Sequence, residues 1–325
     1  MTALLRVRGL EVGIGRARPV DGIDLDVEAG EMLGIVGESG SGKSMTLRAI
    51  LRLLPAAART SGTVTWLGRD VLTLPEPQLR RVRGGEIGMV FQEPMTALNP
   101  VLTIGLQITE SLTTHRGLRG GAARAQAAAL LDQVGIPDAR RRLGNYPHEF
   151  SGGMRQRAMI AAALAGGPKL LLADEPTTAL DVTIQDQILK LLLRLKEALA
   201  MSVVIVTHDL GVVAGTCDRV AVLYAGRVME SGPVEAIFAR PAHAYTLGLL
   251  RSLPGAAHAR SRLGGIPGMP PDPLAMPPGC RFAPRCGFAI DACRAAAPAL
   301  RPVGPGRFSA CIRADIVQNE APLAA

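Results

Sequence analysis

Apolar and polar positions along the chain fall into two regimes. Through most of the first 250 residues, short apolar runs at Met32–Val36, Ile87–Phe91, Leu170–Ala173, Val203–Val206 and Val220–Tyr224 read as buried strands. Helical spacing lies between them over Lys43–Leu54, Ala122–Val134 and Ile184–Leu199, where Leu191, Leu192, Leu195 and Leu199 recur on one face. Strands that alternate with helices predict an α/β fold with a largely parallel sheet. Ile23–Val27 and Thr63–Trp66 instead alternate apolar with polar residues, as half-exposed antiparallel strands do. There is no internal repeat.

Beyond Arg251 the periodicity fades. Residues 252–325 carry 12 of the 24 prolines and four of the five cysteines, so this tail reads as loop-rich with little capacity to build a core of its own. No apolar run approaches the roughly 18–20 residues of a membrane-spanning helix. The first residues, MTALLRVRGLEVGIG, lack the apolar stretch and cleavage site of a secretory signal. The expectation is a soluble, cytoplasmic chain.

Composition adds two bounds. With 325 residues, 48% hydrophobic and 20% charged, the chain has material for a sizeable core and room for two domains. The net charge of +8 comes from 32 arginines and 4 lysines that are scattered along the chain. With three Tyr, six Phe and one Trp available to stack on bases, no nucleic-acid partner is expected.

Chemistry enters after the first apolar strand. Gly37-Glu38-Ser39-Gly40-Ser41-Gly42-Lys43-Ser44, with Met45 next, matches G-x4-G-K-[ST] between a strand and a helix. The glycines let backbone N–H groups approach phosphate oxygens, and the helix N-terminus adds partial positive charge. Lys43 can reach the β- and γ-phosphates of a nucleotide, and the Ser44 hydroxyl can ligate Mg²⁺. The strand Leu170–Ala173 ends in Asp174 and Glu175. Alone these read as two surface acids. Beside a phosphate loop, one carboxylate can hold the Mg²⁺ side and the other can take a proton from water. His208 follows another buried strand and can reach a γ-phosphate.

Phe150-Ser151-Gly152-Gly153-Met154-Arg155-Gln156-Arg157 resembles the signature of ATP-binding cassette (ABC) ATPases. Gln92 in Val90-Phe91-Gln92-Glu93-Pro94, Ala179-Leu180-Asp181 and His208 follow in the family's order, so the resemblance covers residues 1 to about 230. It implies a P-loop ABC nucleotide-binding domain with a mainly parallel core, an antiparallel β subdomain and a helical subdomain at about 93–165. It further implies head-to-tail pairing of two such ATPases, identical or related, with ATP sandwiched between them. Ser151, Gly152 and Gly153 would cap the partner's ATP and Asp181 would link the two sites. Glu175 would be the general base, His208 the γ-phosphate contact, and Gln92 a sensor of Mg²⁺ and water. Asp174 would stand with Ser44 on the Mg²⁺ side. Ile14 stands where the family commonly stacks an aromatic side chain on adenine, which removes stacking worth about 0.5–1.5 kcal/mol.

Pro94-Met95-Thr96-Ala97-Leu98-Asn99-Pro100 opens a segment similar to the helical subdomain of importer ATPases of the oligopeptide/dipeptide/nickel group. Pro241-Ala242-His243-Ala244-Tyr245-Thr246, Ile266-Pro267-Gly268 and Gly279-Cys280-Arg281-Phe282-Ala283-Pro284-Arg285-Cys286 resemble the C-terminal extension of the same group. The expectation is an ATPase domain at 1–235 and an extension at 236–325. The resemblance implies two membrane-spanning permease subunits, an extracytoplasmic binding protein acting indirectly, and a place on the cytoplasmic face of the membrane. The substrate would be a di- or oligopeptide, with nickel or another small solute as the alternative.

Cys280, Cys286, Cys293 and Cys311 are spaced C-x5-C-x6-C-x17-C, and Cys217 stands alone as a core residue. A reducing cytoplasm disfavours disulfides, so metal is the natural reading. The spacing is neither the paired C-x2-C of zinc ribbons nor the tight run of bacterial ferredoxins. Some peptide-importer ATPases hold a [4Fe–4S] cluster on this extension, and these four positions match its cysteines. Zn²⁺ and free thiols are the alternatives.

Overall fold

The computed structural model describes residues 3–178, 180–253 and 265–320; of the segments quoted above, Ala179 lies outside the described residues. The chain divides into two compact units, one made of residues 1–2, 28–31 and 73–206, the other of 3–27, 32–72 and 207–325.

In the first unit, Ile87–Val90, Leu170–Asp174 and Ser202–Thr207 run parallel, with Leu170–Asp174 in the middle. A central parallel strand is covered on both faces, and its residues are all buried. Ile104–Arg116, Gly120–Gln133 and Gly152–Leu164 are the main helices between the first two of these strands, and they bury alanines and leucines. The helix Val182–Ala198 buries Ile188, Leu191, Leu192 and Leu195. Leu199, expected on the same face, is exposed because the helix ends there and Ala200 turns left-handed with φ 47°.

In the second unit, Leu5–Ile14, Ala17–Val27, Ala58–Trp66 and Arg69–Asp70 form the antiparallel sheet that the alternating segments predict. A second sheet pairs Met32–Val36 parallel with Arg219–Tyr224, which continues antiparallel into Arg227–Pro233. The helix Lys43–Ile50 stops four residues short of the expected Leu54. Arg52 takes a left-handed φ of 53°, and its N–H and that of Leu53 bond to Ala49 and Arg48, a stop that Pro55 reinforces.

The tail is not a loose appendage. Its hairpin Arg301–Gly304 with Arg307–Ser309 extends the second sheet through Arg227–Pro233. Tyr245, Leu247, Leu250, Phe282 and Val317 join Val36, Val220, Val222 and Tyr224 in one buried cluster, with Cys217 packed against it. The tail has no core of its own because it shares the second unit's. Among the described residues no helix is long and apolar enough to cross a membrane.

Candidate functional site

The phosphate loop belongs to the second unit. It leaves the buried strand Met32–Val36 and enters the helix at Gly42, whose φ of 98° and 2.3 Å clearance between a would-be Cβ and the Pro19 carbonyl admit only glycine. Lys43 is buried, its ammonium donating to the carbonyls of Gly37 at 2.8 Å and Glu38 at 3.0 Å. Ser44 and Met45 are half-buried on the first turn of the helix. The Ser41 carbonyl accepts from the Gly226 N–H, which ties the loop to the turn after Arg219–Tyr224. Ile14, at the end of its strand, is exposed, as an adenine contact requires.

Glu38 is held at both its backbone and its side chain. Its N–H donates to the Tyr245 hydroxyl at 2.8 Å, and its carboxylate receives two bonds from the Arg285 guanidinium, at 2.7 and 3.1 Å. Arg285 also bonds the carbonyls of Ile266 and Pro267 and the Tyr224 hydroxyl, and lies 5.7 Å from the Tyr224 ring centre. Tyr224, Tyr245 and Phe282 contact one another with ring centres 4.6–5.3 Å apart. Burial pushes the Tyr245 phenol well above its ordinary pKa, so it stays a neutral acceptor for the Glu38 N–H. The sequence singled out the segments bearing Tyr245 and Arg285 without giving either a role. The available signal was chemical, since a buried arginine beside a cysteine needs a carboxylate partner.

The carboxylate pair belongs to the first unit. Asp174 ends the central strand fully buried. Glu175 turns out of it in the left-handed region at φ 45°, a conformation that costs on the order of 1–3 kcal/mol and is held by its N–H to the Val206 carbonyl. Gln92 Nε2 donates to Glu175 Oε2 at 3.2 Å and Thr178 Oγ1 donates to the same oxygen at 2.8 Å. The structure thus joins Gln92 to Glu175, and adds Thr178, which the sequence did not single out.

The signature is built nearby in the same unit. Ser151 caps the helix Gly152–Leu164 by accepting from the Met154 N–H, so the helix N-terminus is set by the residue that the motif requires there. A Cβ on Gly153 would stand 3.0 Å from Ile184, and one on Gly152 3.6 Å from Leu180. Asp181 caps the helix Val182–Ala198 through the Ile184 N–H. His208, in the second unit, is exposed just before the helix Leu210–Thr216, which Asp209 caps.

Ser44 of the second unit, and Gln92 and Asp174 of the first, each carry an oxygen of the hard kind that Mg²⁺ takes, and Asp174 is buried. The four tail cysteines line one small, largely apolar cavity with His243 and Phe282. Burial raises the Cys280 and Cys286 thiols above their ordinary pKa and pushes Cys311 up to about 11. Among the described residues, no three His, Cys, Asp or Glu side chains form a group that could hold a metal ion. The thiols thus line one space, but the described residues do not form the metal-binding group that the sequence led us to expect.

The family model described as "ABC transporter" matches residues 20–178. A protein of Brucella melitensis biotype 1 bearing the name peptide import ATP-binding protein is 52% identical over 327 residues, covering 95% of this chain and 97% of its own. The chain belongs to the ABC transporter ATP-binding family. As in that family, its work is ATP hydrolysis. A probable peptide ABC transporter ATP-binding protein of Sinorhizobium fredii is likewise 52% identical, covering 97% of this chain and 96% of its own. The model described as "Oligopeptide/dipeptide transporter, C-terminal region" matches residues 229–293 of this ABC protein. Among solved structures, the ATP-binding cassette MJ0796, dimeric with ADP and phosphate, is 31% identical with a TM-score of 0.63, covering 71% of this chain and 98% of its own. The cbiO1 protein of Clostridium perfringens, part of the cbiONQ transporter complex, is 27% identical with a TM-score of 0.64, covering 74% and 92%.

Proposed function

We propose that this ABC ATPase energises the import of di- or oligopeptides. The observation that carries the reading is the C-terminal region, residues 229–293, matched to that of oligopeptide/dipeptide transporters on a chain half identical to peptide-import proteins. Functionally, residues 1–235 are the ATPase domain, with its helical subdomain at about 93–165, and 236–325 the extension.

ATP lies on Gly37–Ser44 and Met45, with backbone N–H groups and Lys43 on its phosphates and Ile14 against the base. Mg²⁺, held by Ser44, Gln92 and Asp174, neutralises phosphate charge when bound. Glu175, oriented by Gln92 and Thr178, takes a proton from water as its oxygen attacks the γ-phosphorus. The bond to the bridging oxygen breaks, ADP and phosphate leave, and His208 steadies the γ-phosphate. Ser151, Gly152 and Gly153 of a second ATPase subunit, identical or related, close over the nucleotide, and Asp181 links the two sites. Closure drives two permease subunits on the cytoplasmic face of the membrane, and an extracytoplasmic binding protein supplies the peptide.

Cys280, Cys286, Cys293 and Cys311 hold a [4Fe–4S] cluster in this reading. What supports it is that all four thiols line one cavity. The group would staple a segment with few regular elements of its own.

The test is uptake by liposomes that contain the chain with its two permease subunits and second ATPase, given binding protein and MgATP. ATP-dependent accumulation of labelled peptide is expected. Accumulation of nickel without peptide would assign the substrate otherwise, and no ATP-dependent uptake would overturn the transport reading.

A further inference from the structure

We infer that Arg285 is a positioning residue for nucleotide binding: it fixes Glu38, and with it the entry of the phosphate loop, to the cysteine-bearing segment of the extension. The inference rests on Gly37–Ser44 being the ATP site.

Within the second unit, the segment Cys280–Cys286 carries two arginines that reach earlier parts of the chain. Arg281 is buried and bonds both Asp21 and the Ala225 carbonyl. The next residue, Gly226, donates its N–H to the Ser41 carbonyl and accepts from the Asp21 N–H. Arg285, its side chain 6% exposed, takes Glu38 in a two-pronged pair. The phosphate loop is thus braced at Glu38 and again, one hydrogen bond removed, at Ser41.

The brace bears on ATP because of what Glu38 does in the loop. Its carbonyl is one of the two that hold the Lys43 ammonium, and its N–H is fixed by Tyr245. A phosphate loop works by presenting backbone N–H groups in a set direction, which costs conformational entropy if the direction is not set beforehand. Arg285 sets it. The guanidinium is itself held over the Tyr224 and Phe282 rings and by two backbone carbonyls, so it cannot follow a loop that drifts. Two parallel charge-assisted bonds of a part-buried pair are the strong kind. Arg285 acts on loop geometry and not on the reacting atoms, so it affects binding of ATP more than the chemical step.

The full chain is compared as wild type, Arg285→Ala, Arg285→Lys, Glu38→Gln and the Arg285→Ala/Glu38→Gln pair, with Lys43→Ala as control. Dissociation constants for MgATP and steady-state KM and kcat are measured. Arg285→Ala is expected to raise Kd and KM for ATP about tenfold, the loss of one strong charge-assisted pair, while kcat stays within about twofold. Arg285→Lys, which keeps the charge but loses the fork, should recover part of the affinity. The double variant should bind no more weakly than the worse single one. Arg285→Ala with wild-type Kd and KM, or additive losses in the double variant, would overturn the inference. ATP binding by Lys43→Ala as tight as wild type would instead overturn the site on which it rests.

Discussion

Arg285 holds both carboxylate oxygens of Glu38 across 247 residues of sequence, at 2.7 and 3.1 Å. The contact joins a segment framed by two cysteines to the first variable position of the phosphate loop. The extension is therefore part of the structural frame of the phosphate loop.

Cys286 adjoins Arg285, so disturbing it should be felt at the nucleotide. Cys286→Ser is expected to weaken ATP binding in the same direction as Arg285→Ala and to add little when the two are combined. Equilibrium binding of ATP to the three variants checks this. In the cluster reading, iron and sulfide content should also fall in Cys286→Ser and stay at the wild-type level in Arg285→Ala.

The strands were legible from apolar runs because a buried parallel strand has no polar face to confuse the pattern; Met32–Val36 matches to the residue. Helix ends were less legible. Leu54 lies past the left-handed turn at Arg52 and Leu199 directly before the one at Ala200, turns that only backbone geometry reveals. In the site, Lys43 stood out because the G-x4-G-K-[ST] spacing dictates its chemistry, while Glu175 drew its expected role from the family resemblance. Thr178, Tyr245 and Arg285 were not given roles, since their partners lie elsewhere in the chain and no local periodicity reports a tertiary ion pair. The tail looked coreless for a related reason: its Phe282 buries against Tyr224, 58 residues earlier in the chain.

Gly42 tests the loop's backbone. Gly42→Ala places a Cβ 2.3 Å from the Pro19 carbonyl oxygen at φ 98°. The loop must shift or the chain lose stability, and ATP affinity is expected to fall at least about tenfold, alongside a loss of several kcal/mol. Thermal melts with and without ATP separate the two effects.

Asp21 is the shared carboxylate of Arg281 and Arg227. Asp21→Ala leaves the buried Arg281 guanidinium without its counter-ion and is expected to cost about 3–5 kcal/mol. Urea unfolding of the two proteins measures it, and Arg227→Ala, at a more exposed partner, should cost much less.

Glu230 gives the pH dependence. Burial, the largest influence, raises its carboxyl above the usual range even as it accepts the N–H groups of Ala242 and His243 and a bond from Arg307. A raised native pKa means that the folded chain holds this proton more tightly than the unfolded one. Its contribution to stability therefore falls as pH rises from the ordinary carboxylate value near 4.3 through the native value, and then levels off. In Glu230→Gln that fall should vanish. The amide can serve only one of the two N–H donors, so the variant should also lose about 1–3 kcal/mol at neutral pH. Urea midpoints for both proteins from about pH 4 to 8 test the sign.

The proposed chemistry stands on Glu175, whose carboxylate is to act as the base when this chain hydrolyses ATP. The direct measurement compares MgATP binding and phosphate release by wild type and Glu175→Gln, in the fully assembled transporter. The variant is predicted to bind ATP within about twofold of wild type while turnover falls by about 100-fold or more. Turnover that survives the substitution unchanged would contradict it.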